Sequence, residues 1–283
     1  MRIASLFVVV LLSLFSGPSM AKWDQEAKAS DLLSRIQIRV DHLALVANEA
    51  ADGNVDAFSS LKLSRDDIDS MLQRLKHGDP RTDMSGYADQ DSFKHDLVGL
   101  DGAWAKLNAD IAAMLAAQQQ VIDTRSAADE FAAEIAVLNS RMDEAVKILV
   151  EKDGSKNQLF VAQREMLYAE RMLRRVQSVL RGGDEAESAA TGLQRDAHFY
   201  AAVLAGLIQG NADLNIKAVA NASAREILSA INKQWTATVA PSVSKLLESA
   251  PAVQSARHAA DEIQIDSQTF VLKADPLSRH LRD

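Results

Sequence analysis

The chain has 283 residues, a formal net charge of −8 and no cysteine. The acidic balance speaks against nucleic acid and anionic membrane surfaces as partners. The lack of thiols excludes disulfides, thiolate metal sites and cysteine nucleophiles. With 47% hydrophobic but only 5% aromatic residues, and 5 prolines, the composition is that of an Ala- and Leu-rich helical core.

Residues 1–21 read as an export signal. Arg2 supplies a positive charge and Ile3 to Phe15 form an apolar run. Ser16-Gly17-Pro18 break it, and Ser19-Met20-Ala21 has the small-x-small form of a cleavage site. The run has 13 residues, short of the roughly 20 that a membrane span needs. Cleavage after Ala21 removes one base and no acid, so the mature chain carries −9. No later run is long enough to span, so the mature chain is expected to be soluble in the periplasm.

Sparse Gly and Pro punctuate the remainder. Gly53, Gly78-Asp79-Pro80, Gly154, Gly182-Gly183, Gly210 and Pro251 divide it into six expected helices, at about 25–52, 55–77, 92–152, 157–181, 185–209 and 221–273. In the fourth, Leu159, Ala162, Met166, Ala169, Leu173, Val176 and Leu180 are spaced 3-4-3-4, an apolar seam. No useful stretch has the period of two that strands require. The 92–152 segment holds two registers, Leu97 to Met114 and Ala128 to Leu149, that do not join in phase. As one helix it is a rod of roughly 90 Å whose halves are expected to pack in different bundles. Pro251 predicts a break in the last helix, because proline lacks a donor and clashes with the preceding turn.

Short loops make neighbouring helices antiparallel. The expected fold class is all-α, two stacked four-helix bundles built from two long and four shorter helices. Module 1 takes about 22–120 plus 252–275, and module 2 about 126–250. A weak internal repeat accompanies this division. Asp41-His42-Leu43 followed by Gly53-Asn54 resembles Glu170-Arg171-Met172 followed by Gly183-Asp184.

Several words in helices four to six carry a family likeness. They are Val161-Ala162-Gln163-Arg164, Ala169-Glu170-Arg171-Met172 and Val179-Leu180-Arg181-Gly182-Gly183-Asp184-Glu185. Arg195-Asp196-Ala197, Val203-Leu204-Ala205-Gly206-Leu207, Gly210-Asn211-Ala212, Asn215-Ile216-Lys217-Ala218-Val219 and Ser267-Gln268-Thr269 continue it. With this helix order, the chain resembles the extracytoplasmic domain of PilJ-type methyl-accepting chemotaxis transducers of type IV pilus systems. The resemblance is strongest over 157–220. It implies a sensory, ligand-binding or pilin-contacting domain, and it brings in the related helical nitrate sensors of the NarX type. In those an arginine on the first helix binds a small anion across a dimer interface, which here implies a homodimer. Guanidinium forks suit planar oxyanions.

Two departures from the family are visible. Those transducers carry membrane-spanning helices on both sides of the domain and a cytoplasmic coiled coil, so this chain is expected to signal through a partner. Arg35, Gln37, Arg39 and His42 occupy the motif region of the first helix, with His42 aligned to the motif's last arginine; the fourth helix keeps Arg171.

The candidate ligand-binding residues are therefore Arg164, Arg171, Arg39 and His42, for a small anion. Arg164, Arg171 and Arg175 share one side of the helix by spacing. The plainer alternative pairs the arginines with Glu165, Glu170, Asp184 and Glu185 on a solvated face. No Glu-x-x-His, nucleophile elbow or phosphate loop occurs. No enzyme activity, metal or cofactor is expected. Two functions compete: a sensory subunit serving a membrane transducer, and a structural adaptor that contacts pilin or envelope proteins.

Overall fold

The computed structural model describes residues 18–152 and 154–282, with side chains from Lys22 onward. Most of the expected leader, 1–21, lies outside the described residues. Those described form α1 (Pro18–Ala51), α2 (Val55–His77), α3 (Asp91–Ala116), α4 (Gln118–Glu151), α5 (Lys156–Arg181), α6 (Ala186–Gln209), α7 (Ala222–Gln234) and α8 (Ala240–His280). A π-helical turn, Trp235–Val239, joins α7 to α8. The all-α expectation holds. One small exception is a β-ribbon of β1 (Gly78–Asp79) and β2 (Met84–Ser85), paired antiparallel at the Gly-Asp-Pro turn. Among the described residues no helix is long and apolar enough to cross a membrane.

Two expectations about helix continuity change. The 92–152 rod is interrupted at Ala117, whose N–H is shared between the Ala113 and Met114 carbonyls at 3.3 and 3.1 Å. This tightened turn lies where the two apolar registers fail to join, and it resets the helical phase. The break expected at Pro251 falls instead at 235–239. There Pro241 cannot donate to Ala237, and its ring would crowd that carbonyl. The ladder widens by one residue, with the Ala240 N–H reaching the Trp235 carbonyl. Pro251 itself sits inside α8 on an exposed face.

The chain divides into two compact units. Among the described residues the first comprises 18–47, 59–112 and 261–282. Leu33, Ile36 and Leu43 of α1, Leu61, Ile68 and Leu75 of α2, Leu100 and Leu107 of α3, and Ile263, Phe270 and Leu277 of α8 are fully buried in it. Trp104 fixes α3 against two neighbours. Its indole lies edge-on to Phe270, and its Nε1 donates to Asp69 Oδ1 at 3.2 Å.

The second unit comprises 48–58 and 113–260. Its core joins Phe131, Ile135, Leu138 and Met142 of α4 to Met172 and Val176 of α5, Tyr200 and Leu204 of α6, and Leu228, Ile231 and Trp235 beyond. Tyr200 stacks on Trp235 with ring centroids 4.4 Å apart, so the aromatic at the π turn is anchored in the core. The candidate arginines of α5 belong to this unit.

Candidate functional site

Helix α5 is fixed at both ends. Ser155 Oγ accepts from the Gln158 N–H at 3.2 Å while Gln158 Oε1 accepts from the Ser155 N–H at 3.1 Å, a reciprocal capping box. Gln158 Nε2 also donates to the carbonyls of Lys217 and Ala218, both at 3.0 Å, which holds the helix start to the 210–221 loop. At the far end Gly182 and Gly183 adopt φ of +70° and +75°, a left-handed pair that turns the chain directly into α6.

The buried face of α5 differs from the expected seam. Leu159, Met166 and Leu173 are only half-buried, whereas Gln158, Glu165, Tyr168, Met172 and Val179 are buried beside Ala162, Ala169 and Val176. A helix packed on several neighbours buries a wider stripe than a two-residue seam. This broadening brings a carboxylate, Glu165, into the core.

Arg171, the leading candidate from the sequence, is engaged within the unit. Its Nε donates to Asp196 Oδ2 at 2.7 Å and its Nη2 to Asp196 Oδ1 at 2.5 Å, a bidentate fork. Arg175 Nε adds a third bond to Asp196 Oδ2 at 2.7 Å. Asp196, on α6, is 1% exposed. Burying an ion costs several kcal/mol unless it is paired and hydrogen-bonded, and two guanidinium groups meet that requirement here. The Asp196 carboxylate in turn pushes the Arg171 pKa upward. Gly192, one turn earlier on α6, makes room for this arrangement, since a Cβ there would collide with the Arg175 guanidinium. The ion pairing proposed for a solvated face thus takes a different form. Its acid comes from the neighbouring helix, and Glu170 instead accepts from Asn139 Nδ2 at 3.1 Å. The outer edges of Arg171, Arg174 and Arg175 line an open cleft of about 330 Å³ together with Ser178, Glu185 and Ser188.

Arg164 lies seven residues before Arg171 and is exposed. Both guanidinium groups rest on the Tyr168 ring, at 5.4 Å for Arg164 and 4.6 Å for Arg171. Among the described residues no acid pairs with Arg164. Beside it Glu165 is 1% exposed, and neither of its carboxylate oxygens has a hydrogen-bond partner. Burial pushes its pKa well above the usual carboxylate range, against the opposing pull of Arg164. Glu165 raises the Tyr200 phenol further above the value that burial alone imposes, so the acid and that ring are electrostatic neighbours. Arg164, Glu165, Tyr168, Phe199, Val203 and Leu214 line a cavity of about 80 Å³.

The other two candidates lie in the first unit. Arg39 Nη2 meets Asp67 Oδ2 at 3.0 Å, with both side chains about half exposed, and His42 is exposed on α1. The four candidates therefore divide two and two between the units. The first unit also gathers Asp110, Glu262 and Asp266, whose oxygens lie within 4.8 Å of one another. Lys106 Nζ reaches Glu262 Oε2 at 3.2 Å and Asp266 Oδ1 at 2.8 Å. Burial, then a hydrogen bond to Asp266, lifts Asp110 to about 6.

Sequence reasoning missed Asp196, Gly192 and Glu165 as a set. Gly192 and Asp196, four residues apart inside an apolar helix, were the available signal, because each is a poor helix former there without a tertiary reason.

No family model matches the chain. It is 33% identical to Protein PilJ of Pseudomonas aeruginosa, over 98% of this chain and 41% of PilJ. It is 31% identical to the methyl-accepting chemotaxis AlkN of Alcanivorax borkumensis, over 88% of this chain and 35% of AlkN. The chain is therefore related to PilJ-type chemotaxis transducers along nearly its whole length, and it spans well under half the length of these relatives.

Proposed function

We propose that this chain is an extracytoplasmic sensory module of the PilJ type, exported to the periplasm behind the 1–21 leader. It passes a ligand-dependent state to a membrane transducer in a chemosensory or type IV pilus pathway, and it performs no chemical reaction of its own. The carrying observation is the 33% identity to PilJ across 98% of the chain. The pairing pattern favours Arg164 as the anion-binding group, because Asp196 occupies the fork of Arg171. Arg39 and His42 are the corresponding proposal in the first unit, where a homodimer would present the first helix to its partner.

A second reading rests on one observation. Phe160 and Leu167 are 59% and 68% exposed and flank Arg164 on the same side of α5. An apolar pair around a cation suits contact with pilin or an envelope protein, with no small molecule required.

A strain lacking the protein separates these readings. Altered pilus-driven motility, restored by the full chain and not by residues 22–283 expressed without the leader, supports the exported role. Co-purification of a transducer supports the sensory reading, and co-purification of pilin alone supports the adaptor. Unchanged motility with neither partner recovered would sink both.

A further inference from the structure

We infer that the cavity beside α5 in the second unit binds a small aliphatic amino acid as its zwitterion, with the ammonium on Glu165 and the carboxylate on Arg164. This deepens the sensory reading by naming a ligand class and its site, and it rests on that reading only for its biological use.

The starting point is Glu165. It is 1% exposed, it lines the cavity, and both of its oxygens lack a partner. Buried polar atoms without partners are costly, so a native chain that keeps such a group calls for an explanation. A leucine would fill the same place in the core at lower cost. Both oxygens are shielded from the empty cavity, so the Glu165 side chain turns toward it on binding, where an ammonium group brings three donors, enough for both oxygens. The Phe199 ring, 5.1 Å from the Tyr168 ring on which Arg164 and Arg171 rest, forms part of the wall, and an aromatic face favours a cation.

The opposite charge is supplied by the adjacent residue. Arg164 lines the same cavity; among the described residues it makes no salt bridge, and the acid its charge acts on is Glu165. With Glu165 ionised, the wall offers one anion and one cation, so its net charge is zero. A bare amine would leave Arg164 facing a second cation, and a bare carboxylate would leave Glu165 unsatisfied. A ligand carrying both charges satisfies both residues.

Size limits the rest of the ligand. A water-sized group needs about 10–15 Å³ of space on this measure. The 80 Å³ available therefore admits on the order of six heavy atoms, the size of glycine or alanine. Val161, Val203 and Leu214 offer the ligand's short side chain an apolar surface.

Protons balance as follows. Burial raises the Glu165 pKa in the empty cavity well above the usual carboxylate range. The protonated fraction loses its O–H proton to solvent on binding, the carboxylate pairs with the ligand's ammonium, and no covalent bond to the ligand forms or breaks.

Calorimetry on the exported chain with glycine and L-alanine tests the proposal, with n-propylamine and propionate as half-ligands and L-tryptophan as an oversized probe. The expected result is binding of glycine and alanine, at least tenfold weaker binding of both half-ligands, and none of tryptophan. The alanine heat should differ between phosphate and Tris buffers, reporting the released proton. Glu165→Gln should weaken alanine at least tenfold and abolish that buffer difference. Arg164→Gln, at an exposed position, provides an independent variant if the first misfolds, and it should weaken alanine while strengthening propylamine. The proposal is overturned if neither amino acid gives heat, if propylamine binds as well as alanine, or if a folded variant of either residue keeps wild-type affinity. A failure here leaves the motility result standing, and loss of the motility phenotype leaves alanine binding standing.

Discussion

His42 and Arg171 are both candidate anion-binding residues, one in each unit, and their surroundings differ. His42 is exposed on α1, and its neighbour Arg39 meets Asp67 where both side chains are about half in solvent. Arg171 forks onto an aspartate that is 1% exposed and shared with Arg175. Two units with the same type of ion pair thus put very different weight on it. In water, screening and side-chain entropy cancel most of the Coulomb gain. In a core, the carboxylate depends on its partners for the solvation it has lost.

The largest expected effect comes from removing both partners of Asp196. Arg171→Ala with Arg175→Ala should destabilise the second unit by about 3–5 kcal/mol, the usual penalty for stranding a buried charge, as read by chemical denaturation. Arg171→Ala alone should cost clearly less, because Arg175 remains. Equal losses in single and double variants would show that Arg175 contributes nothing.

Next comes Gly192→Ala. Alanine raises helix propensity by about 1 kcal/mol, but its methyl group displaces the Arg175 guanidinium. Net destabilisation is expected in the wild-type background, and a gain of roughly 1 kcal/mol once Arg175 is alanine. The same sign in both backgrounds would show that the contact is slack.

Acids sharpen the comparison again. Glu165 has no partner, whereas Asp266 pairs with Lys106 and lies against Asp110. Asp110 is raised in the folded state to about 6 from its ordinary 3.8. The folded state therefore holds this proton more tightly. Its contribution to stability is full below about 3.8 and is lost as pH rises through about 6. Asp110→Asn should raise Tm at pH 7.5, leave it nearly unchanged at pH 4, and flatten the slope between. A parallel shift at both pH values would show that the effect is not titration.

The smallest effect is expected for Arg39→Ala in the exposed pair, under about 1 kcal/mol. A loss comparable to that of the Asp196 pair would dissolve the contrast between the two units.

Much of the fold was legible because helix periodicity and punctuation are local. The 55–77 and 157–181 helices and the Gly182-Gly183 turn match α2, α5 and the left-handed pair that the structure shows. Pro251 misled because an exposed proline is tolerated inside a long helix, while Pro241, five residues after a core tryptophan-threonine step, forces the ladder to widen. The α5 seam was read one residue too narrow, which kept Glu165 on the solvated side as an ion-pairing acid.

The sequence by itself determined the helical class, the helix-forming segments, the likeness to PilJ-type domains and the choice of α5 as the helix to watch. Each follows from residue order along one chain: apolar spacing, caps, breakers and shared words. Only the tertiary structure decided which arginine is already satisfied and which acid is not. Asp196 lies 25 residues from Arg171, and Phe199 and Leu214 wall the Glu165 cavity from α6 and the loop beyond it. Whether a charge is paired, stranded or open to a ligand depends on what the other helices place against it, and no periodicity within one helix records that.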